Sequence, residues 1–208
     1  PSSQRMRFNV ATVMDNKDPD KLGRVKLQIA LFGNDMLTDW VPVARPFAGP
    51  NMGTFSIPEV NDTVIVAFVT DNVHQPVVLG QIYDKGKNMA PPIAENPKND
   101  IKKFTSKSGM EICLNDKQGE EQIVLRTKDD KMILNLTKKG GVTIKNEEGK
   151  VQIACDSFVM ESGADALIKT EKSTKFSADT IKMEASKGAN VKSSGNVVVK
   201  GSKIKPDG

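Results

Sequence analysis

From residue 112 onward, short apolar pairs recur, each with one residue between its two members. They are Ile112/Leu114, Ile123/Leu125, Leu134/Leu136, Val142/Ile144, Val151/Ile153, Phe158/Met160, Ala166/Ile168, Phe176/Ala178, Ile181/Met183, Ala189/Val191 and Val197/Val199, with Ile204 alone at the end. Their spacing runs mostly from 7 to 11 residues and settles near 8, with Gly, Asn, Asp, Ser and Lys in the intervals. A separation of two places both side chains on one side of an extended chain, so each unit is a strand and a turn. In "GVTIKNEEGKVQIACD" the strands Val142–Lys145 and Val151–Cys155 flank the polar turn Asn146–Gly149, and each offers two or three apolar side chains. Strands this poor cannot bury a core by themselves.

Two architectures answer that shortage. One is a single-chain β-solenoid, whose coils usually need more than 8 residues and larger interior side chains. The other winds three chains round one axis, so that two other copies supply the rest of the core. The second is the expectation adopted here: an intertwined trimeric β-helix over 105–208. Its core would be Val142, Ile144, Val151, Ile153, Phe158, Met160, Ile168, Phe176, Ile181, Met183 and Val191. Backbone hydrogen bonds would run between chains along the whole shaft, and stability would be largely kinetic.

The first half reads differently. Trp40, Tyr83 and five of the eight Phe fall in the first 83 residues. Strand signals alternate with turn signals: "RFNVATVMD", the turn "NKDPDKLG", then "RVKLQIALF", in which Val25, Leu27, Ile29 and Leu31 face one way and Lys26 and Gln28 the other. "TDWVPVARP" is a third strand, at an edge or bulged because Pro42 has no donor. "TVIVAFVT" reads as a central strand, and "VVLGQIYD" is the fifth. Five short strands in residues 1–84 predict an all-β barrel of the oligonucleotide/oligosaccharide-binding (OB) type. Residues 85–104, with three Pro, read as a linker.

Charge is unevenly placed. Residues 1–100 hold 10 Lys/Arg against 11 Asp/Glu, and residues 101–208 hold 20 against 15, giving −1 and +5. The lysines of the basic half are interspersed with acids and only one of its 20 cations is Arg, which suits a solvated strand face that discourages edge pairing. The barrel half lacks the basic groove and stacking platforms of a nucleic-acid binder, so no nucleic-acid partner is expected. An OB-type nucleic-acid or glycan-binding module with a solenoid tail is the alternative reading.

Catalytic chemistry finds little support. Glu120/Glu121, Asp129/Asp130 and Glu147/Glu148 are adjacent acids in turns, pointing apart into water rather than across a substrate. His74 is the single histidine and has no visible partner. Cys113 and Cys155 have no metal-ligand spacing and read as small residues in strand-like runs. Gly23, Gly49, Gly53 and Gly80 lack the context of a phosphate cradle and read as turns and bulges. No catalytic residue, metal or cofactor is expected, and no stretch reads as a signal peptide or membrane span.

The ordered set Leu22-Gly23-Arg24-Val25, Trp40-Val41-Pro42-Val43-Ala44, Gly49, Gly53, Pro58 to Phe68 and Gln75-Pro76-Val77-Val78-Leu79-Gly80 resembles the OB domain of contractile-injection spike proteins, the phage baseplate assembly protein V and VgrG families. The family usually has Gly where Asn61 stands, and Asn also tolerates positive φ. The repeat that follows is similar to the family's trimeric β-helix. The resemblance implies a homotrimeric central spike, assembled in the bacterial cytoplasm and acting within a virion or an extracellular or secreted injection particle. It implies a hub at the N-terminal end, a target membrane met on contraction, and no enzyme activity. VgrG proteins carry a hub domain before the barrel; about eight residues precede it here, so the hub is expected as a separate or removed segment. Some spikes insert a lysozyme after the barrel, for which 85–104 is too short. Related spikes that hold iron at the tip use a His-X-His motif, and no histidine follows residue 74. A blunt apolar end then calls for a separate PAAR-like tip protein, docking on Val197, Val199, Lys203, Ile204 and Lys205.

Overall fold

A computed structural model of the chain describes residues 7–30, 36–68, 75–84 and 98–202. Its regular structure is all β. The first half is built on β1 (Arg7–Asp15), which pairs antiparallel with β2 (Lys26–Ile29) on one side and with β5 (Thr63–Phe68) on the other. Strand β6 (Pro76–Ile82) pairs with β5, giving the order β2-β1-β5-β6. A small hairpin, β3 (Ala48–Gly49) with β4 (Met52–Gly53), lies in the long loop before β5.

Alternation decides which side chains meet inside. Ala11 and Val13, Val25, Leu27 and Ile29, Val64, Val66 and Phe68, and Val78 form one buried cluster. Leu31 lies outside the described residues. The stretch expected as a third strand forms no continuous strand, yet it closes the sheet. Val41 bridges Val25 antiparallel and Val43 bridges Val78 in parallel. The Val25 and Val41 backbones exchange bonds of 3.0 and 2.8 Å, and the Pro42 carbonyl accepts the Val78 N–H at 2.9 Å. Pro42 thus serves as an acceptor where it cannot donate, and the pairing breaks into isolated bridges, with a further one between Leu37 and Gln28. The result is a five-segment closed barrel with the connectivity of an OB fold.

The second half of the first compact unit, which spans Pro1–Gln152, is a meander. Strands β7 (Ile101–Thr105), β8 (Glu111–Asn115), β9 (Gln122–Arg126), β10 (Met132–Thr137) and β11 (Gly141–Asn146) pair antiparallel with their sequence neighbours. Tight turns join them: Gly109 N–H reaches the Ser106 carbonyl at 2.9 Å and Glu120 N–H the Lys117 carbonyl at 2.8 Å. Gly109 and Gly119 stand at φ of 86° and 83°, which only glycine adopts freely. Strand β7 starts inside the stretch expected as linker. Backbone pairing from 101 to 146 lies within the chain, whereas the repeat suggested pairing between chains over the whole shaft. The reason is local: three- to six-residue turns let neighbouring strands fold back, which the apolar spacing alone does not reveal.

The second unit, Ile153–Gly208, is described as far as residue 202 and has no strand there.

Candidate assembly surface

The meander registers sort its side chains into two faces. On one, Phe104, Ile112, Leu125, Leu134 and Ile144 stand opposite one another across all five strands. Two residues along each strand, Leu114, Ile123, Leu136 and Val142 form a second row, ended on β7 by Lys102. These side chains are not covered. Eight of them are 40% (Leu125) to 67% (Val142) exposed, and Leu134 is partly buried. Burying eight half-exposed side chains of this size is worth on the order of 10 kcal/mol per chain before association costs. An open apolar face this wide marks an interaction surface.

The described residues 151–202 have the same need in a stronger form. Among them every residue is exposed and no strand forms. Phe158, Met160, Ile168, Phe176, Ile181, Met183 and Val191 are all 53% exposed or more.

The opposite face of the meander is mixed, with Ile101, Cys113, Val124 and Ile133 among its polar side chains, and its charged centre is Glu111. Its carboxylate accepts bonds from Arg126 Nε at 3.0 Å and Nη2 at 2.7 Å, and pairs with Lys103. Burial pushes the Glu111 carboxyl up, but the hydrogen bonds from Lys103 and Arg126 outweigh it and hold the group below its ordinary value. Burial pushes the neighbouring Cys113 thiol up, so it stays protonated and unreactive at neutral pH.

In the barrel, the residues of the recognised set hold one another. Asp18 accepts the backbone N–H groups of Asp20, Leu22 and Arg24 at 3.0 to 3.2 Å and the Arg24 side chain at 2.7 and 2.9 Å. The Arg24 guanidinium keeps that carboxyl far below the usual range. Gly23, at φ 70°, leaves room for Arg45, whose Nη2 would lie 2.6 Å from any Cβ placed there. Arg45 also lies over the Phe55 ring at 4.7 Å, and Lys26 over Trp40 at 5.1 Å. Asn61 stands at φ 77°; its N–H bonds to the Val13 carbonyl at 2.8 Å, and Val13 N–H bonds to Asp62 at 2.9 Å. The set therefore fixes turns onto β1.

Of the residues expected in a shaft core, Val142 and Ile144 lie together on β11, on the apolar face. Val151 and the others named above it are exposed and unpaired in the single chain. Val197 and Val199 are 56% and 69% exposed, while Lys203, Ile204, Lys205 and His74 lie outside the described residues. The adjacent acids sit in turns and face nearby lysines: Glu120 meets Lys117 at 2.7 Å, and Glu121 pairs with Lys138. Among the described residues no group of His, Cys, Asp and Glu could hold a metal. Sequence reasoning missed Glu111, Lys103 and Arg126, although Arg126 is the one arginine among the cations after residue 100, the signal that could have marked them.

Residues 9–83 match the family described as the type VI secretion system/phage-baseplate injector OB domain. Over 124 residues, 55% of the chain, it is 27% identical to the type VI secretion system spike protein VgrG1b of Pseudomonas aeruginosa, of which it covers 17%. Over 118 residues, 53% of the chain, it is 28% identical to the spike protein VgrG3 of Vibrio cholerae, covering 12% of that protein. The actin cross-linking toxin VgrG1 of Vibrio cholerae is also 28% identical over 118 residues, 11% of its length. The chain thus spans less than a fifth of the length of these curated relatives. The match assigns the barrel segment, residues 9–83, to the injector OB-domain type of phage baseplates and type VI secretion systems.

Proposed function

We propose that this chain is the structural central spike of a contractile injection machine. Three copies associate, their barrels meet the hub or tube, and residues 151–202 wind into an intertwined β-helical shaft that points at the target envelope. A PAAR-like tip protein docks at the far end, on Val197, Val199 and Lys203–Lys205. The chain assembles in the bacterial cytoplasm, acts within an injection particle, and transmits force from the sheath without catalysing a reaction. The toxin activity in one relative's name stays with that protein, most of whose length this chain does not cover.

The observation that carries this reading is the pairing of an injector-type barrel with apolar surface that one chain leaves open from Phe104 to Val199. A soluble monomer would not keep it. Light scattering with an unboiled SDS gel tests the reading. A mass near three chains that resists SDS until heated supports it. A monomer that runs true without heating overturns it and brings forward the binding module with a solenoid tail. That alternative predicts single-stranded DNA binding with a steep salt slope.

A further inference from the structure

We infer that the β7–β11 meander is the surface through which copies of this chain first recognise each other, and that it sets the register in which 151–202 then interwind. This rests on the self-association proposed above.

The two segments differ in what one chain can complete alone. Every strand of the meander pairs with its sequence neighbour through a short turn, so the entropy of closing each loop is small and is offset locally. Its apolar face therefore exists before any partner arrives. In 151–202 no strand forms among the described residues, so ordering that backbone has no return until another chain supplies hydrogen bonds.

Register makes the order matter. Four of the six intervals between apolar pairs from Val151 to Val197 are 7 or 8 residues, so over those units a slip of one again sets pair against pair. A tail this repetitive specifies its own alignment only weakly. The meander specifies it better, because its rows are unlike: the first row runs from Phe104 to Ile144, and the second ends in Lys102. The occupant of this face is a second copy. The face has no charge across β8, β9 and β10, and the same apolar alternation continues past β11 into Val151 and Ile153. Among the described residues strand β11 pairs on one side only, with β10. Its free edge is a template for the next extended segment.

The test is refolding of the full chain from guanidinium at several concentrations, with pulsed hydrogen exchange read by mass spectrometry. Amides of β8 to β10 should become protected in an early phase that is independent of concentration. Amides of 151–202 should follow in a later phase whose rate rises with concentration. Ile112→Asp with Leu125→Asp should slow that later phase by about tenfold or more, since two unpaired carboxylates would have to be desolvated. Ile168→Asp should leave association intact and remove only SDS resistance. Protection of both segments in one phase overturns the inference alone, as does an Ile168→Asp chain that associates as slowly as the face variant. A wild-type chain that never associates overturns the reading beneath it as well. Should the face variant fail to protect β8 to β10, the order of phases in the wild type decides.

Discussion

Glu111 and Arg126 stand directly opposite each other across β8 and β9, and both Nε and Nη2 of the guanidinium reach the same carboxylate oxygen, at 3.0 and 2.7 Å. A slip of one residue along either strand would send one partner to the apolar face. The pair, with Lys103 beside it, therefore specifies which side of the meander is charged and which is left for association. The Glu111 side chain is only 6% exposed, so its charge depends on these two cations.

Glu111→Gln should lower the stability of the meander by about 1–3 kcal/mol, because Lys103 and Arg126 would face each other without a counter-charge. Exchange rates of the β8 and β9 amides in native protein measure it. Unchanged protection would show that the pair contributes nothing. The pH dependence has a definite sign. The folded carboxyl lies below its ordinary 4.5, so the folded state binds fewer protons there. Its contribution is present above that value and is lost as pH falls through the lower folded value.

Asp18 makes the same argument for the barrel. Its carboxyl is lowered from 3.8 by the Arg24 side chain and by three backbone donors. Barrel stability should therefore fall as pH drops below about 4. Asp18→Asn should be less stable at neutral pH and should lose part of that acid slope. Denaturant midpoints of both proteins from pH 7 to 2 check it, and parallel curves would exclude the linkage.

Leu27 is fully buried between β1 and the Val41 bridge. Leu27→Ala should cost about 2–5 kcal/mol by loss of transfer energy and by the cavity left behind. The readout is the Trp40 fluorescence transition in urea. A small barrel has few other side chains to close that space, so a change under about 1 kcal/mol would contradict the packing described.

At Asn61 the backbone is left-handed, with φ 77°. Asn61→Ala should lose about 1–2 kcal/mol to that conformation. Asn61→Gly should match or exceed the wild type. Thermal melts of the two variants separate a backbone cause from a side-chain one, since losing the amide is common to both.

The sequence made the barrel legible because its inward positions are bulky and strictly alternating, as Val25, Leu27 and Ile29 show. Asn61 was legible for a similar reason: only a few residue types accept its φ. The Trp40–Ala44 stretch was harder, since closure there depends on single bridges at Val41 and Val43 rather than on a pattern. Alternation also found the apolar members of β8 to β11. It could not tell whether they pair within the chain, because Ile112/Leu114 and Ile181/Met183 look the same as pairs. The turns distinguish them: Gly109 and Gly119 fold the chain back, and no such return is made in 151–202. Glu111 was hidden because a buried acid in a lysine-rich stretch has no apolar signature.

The strandless segment allows a prediction at single-residue resolution. If 151–202 become strands on association, neighbours in sequence must face opposite ways. Ile168 belongs to an apolar pair and Lys169 lies next to it. Ile168→Asp should place an unpaired carboxylate in a shared core and abolish SDS resistance at room temperature. Lys169→Asp should leave it intact, because that side chain would face water. The same contrast should hold between Ile181 and Lys182 and between Val191 and Lys192. Unboiled gels of the six variants give the answer. Sensitivity at all six positions would indicate that both faces are covered. Sensitivity at none would mean that the segment does not interwind, and resistance would have to come from the meander.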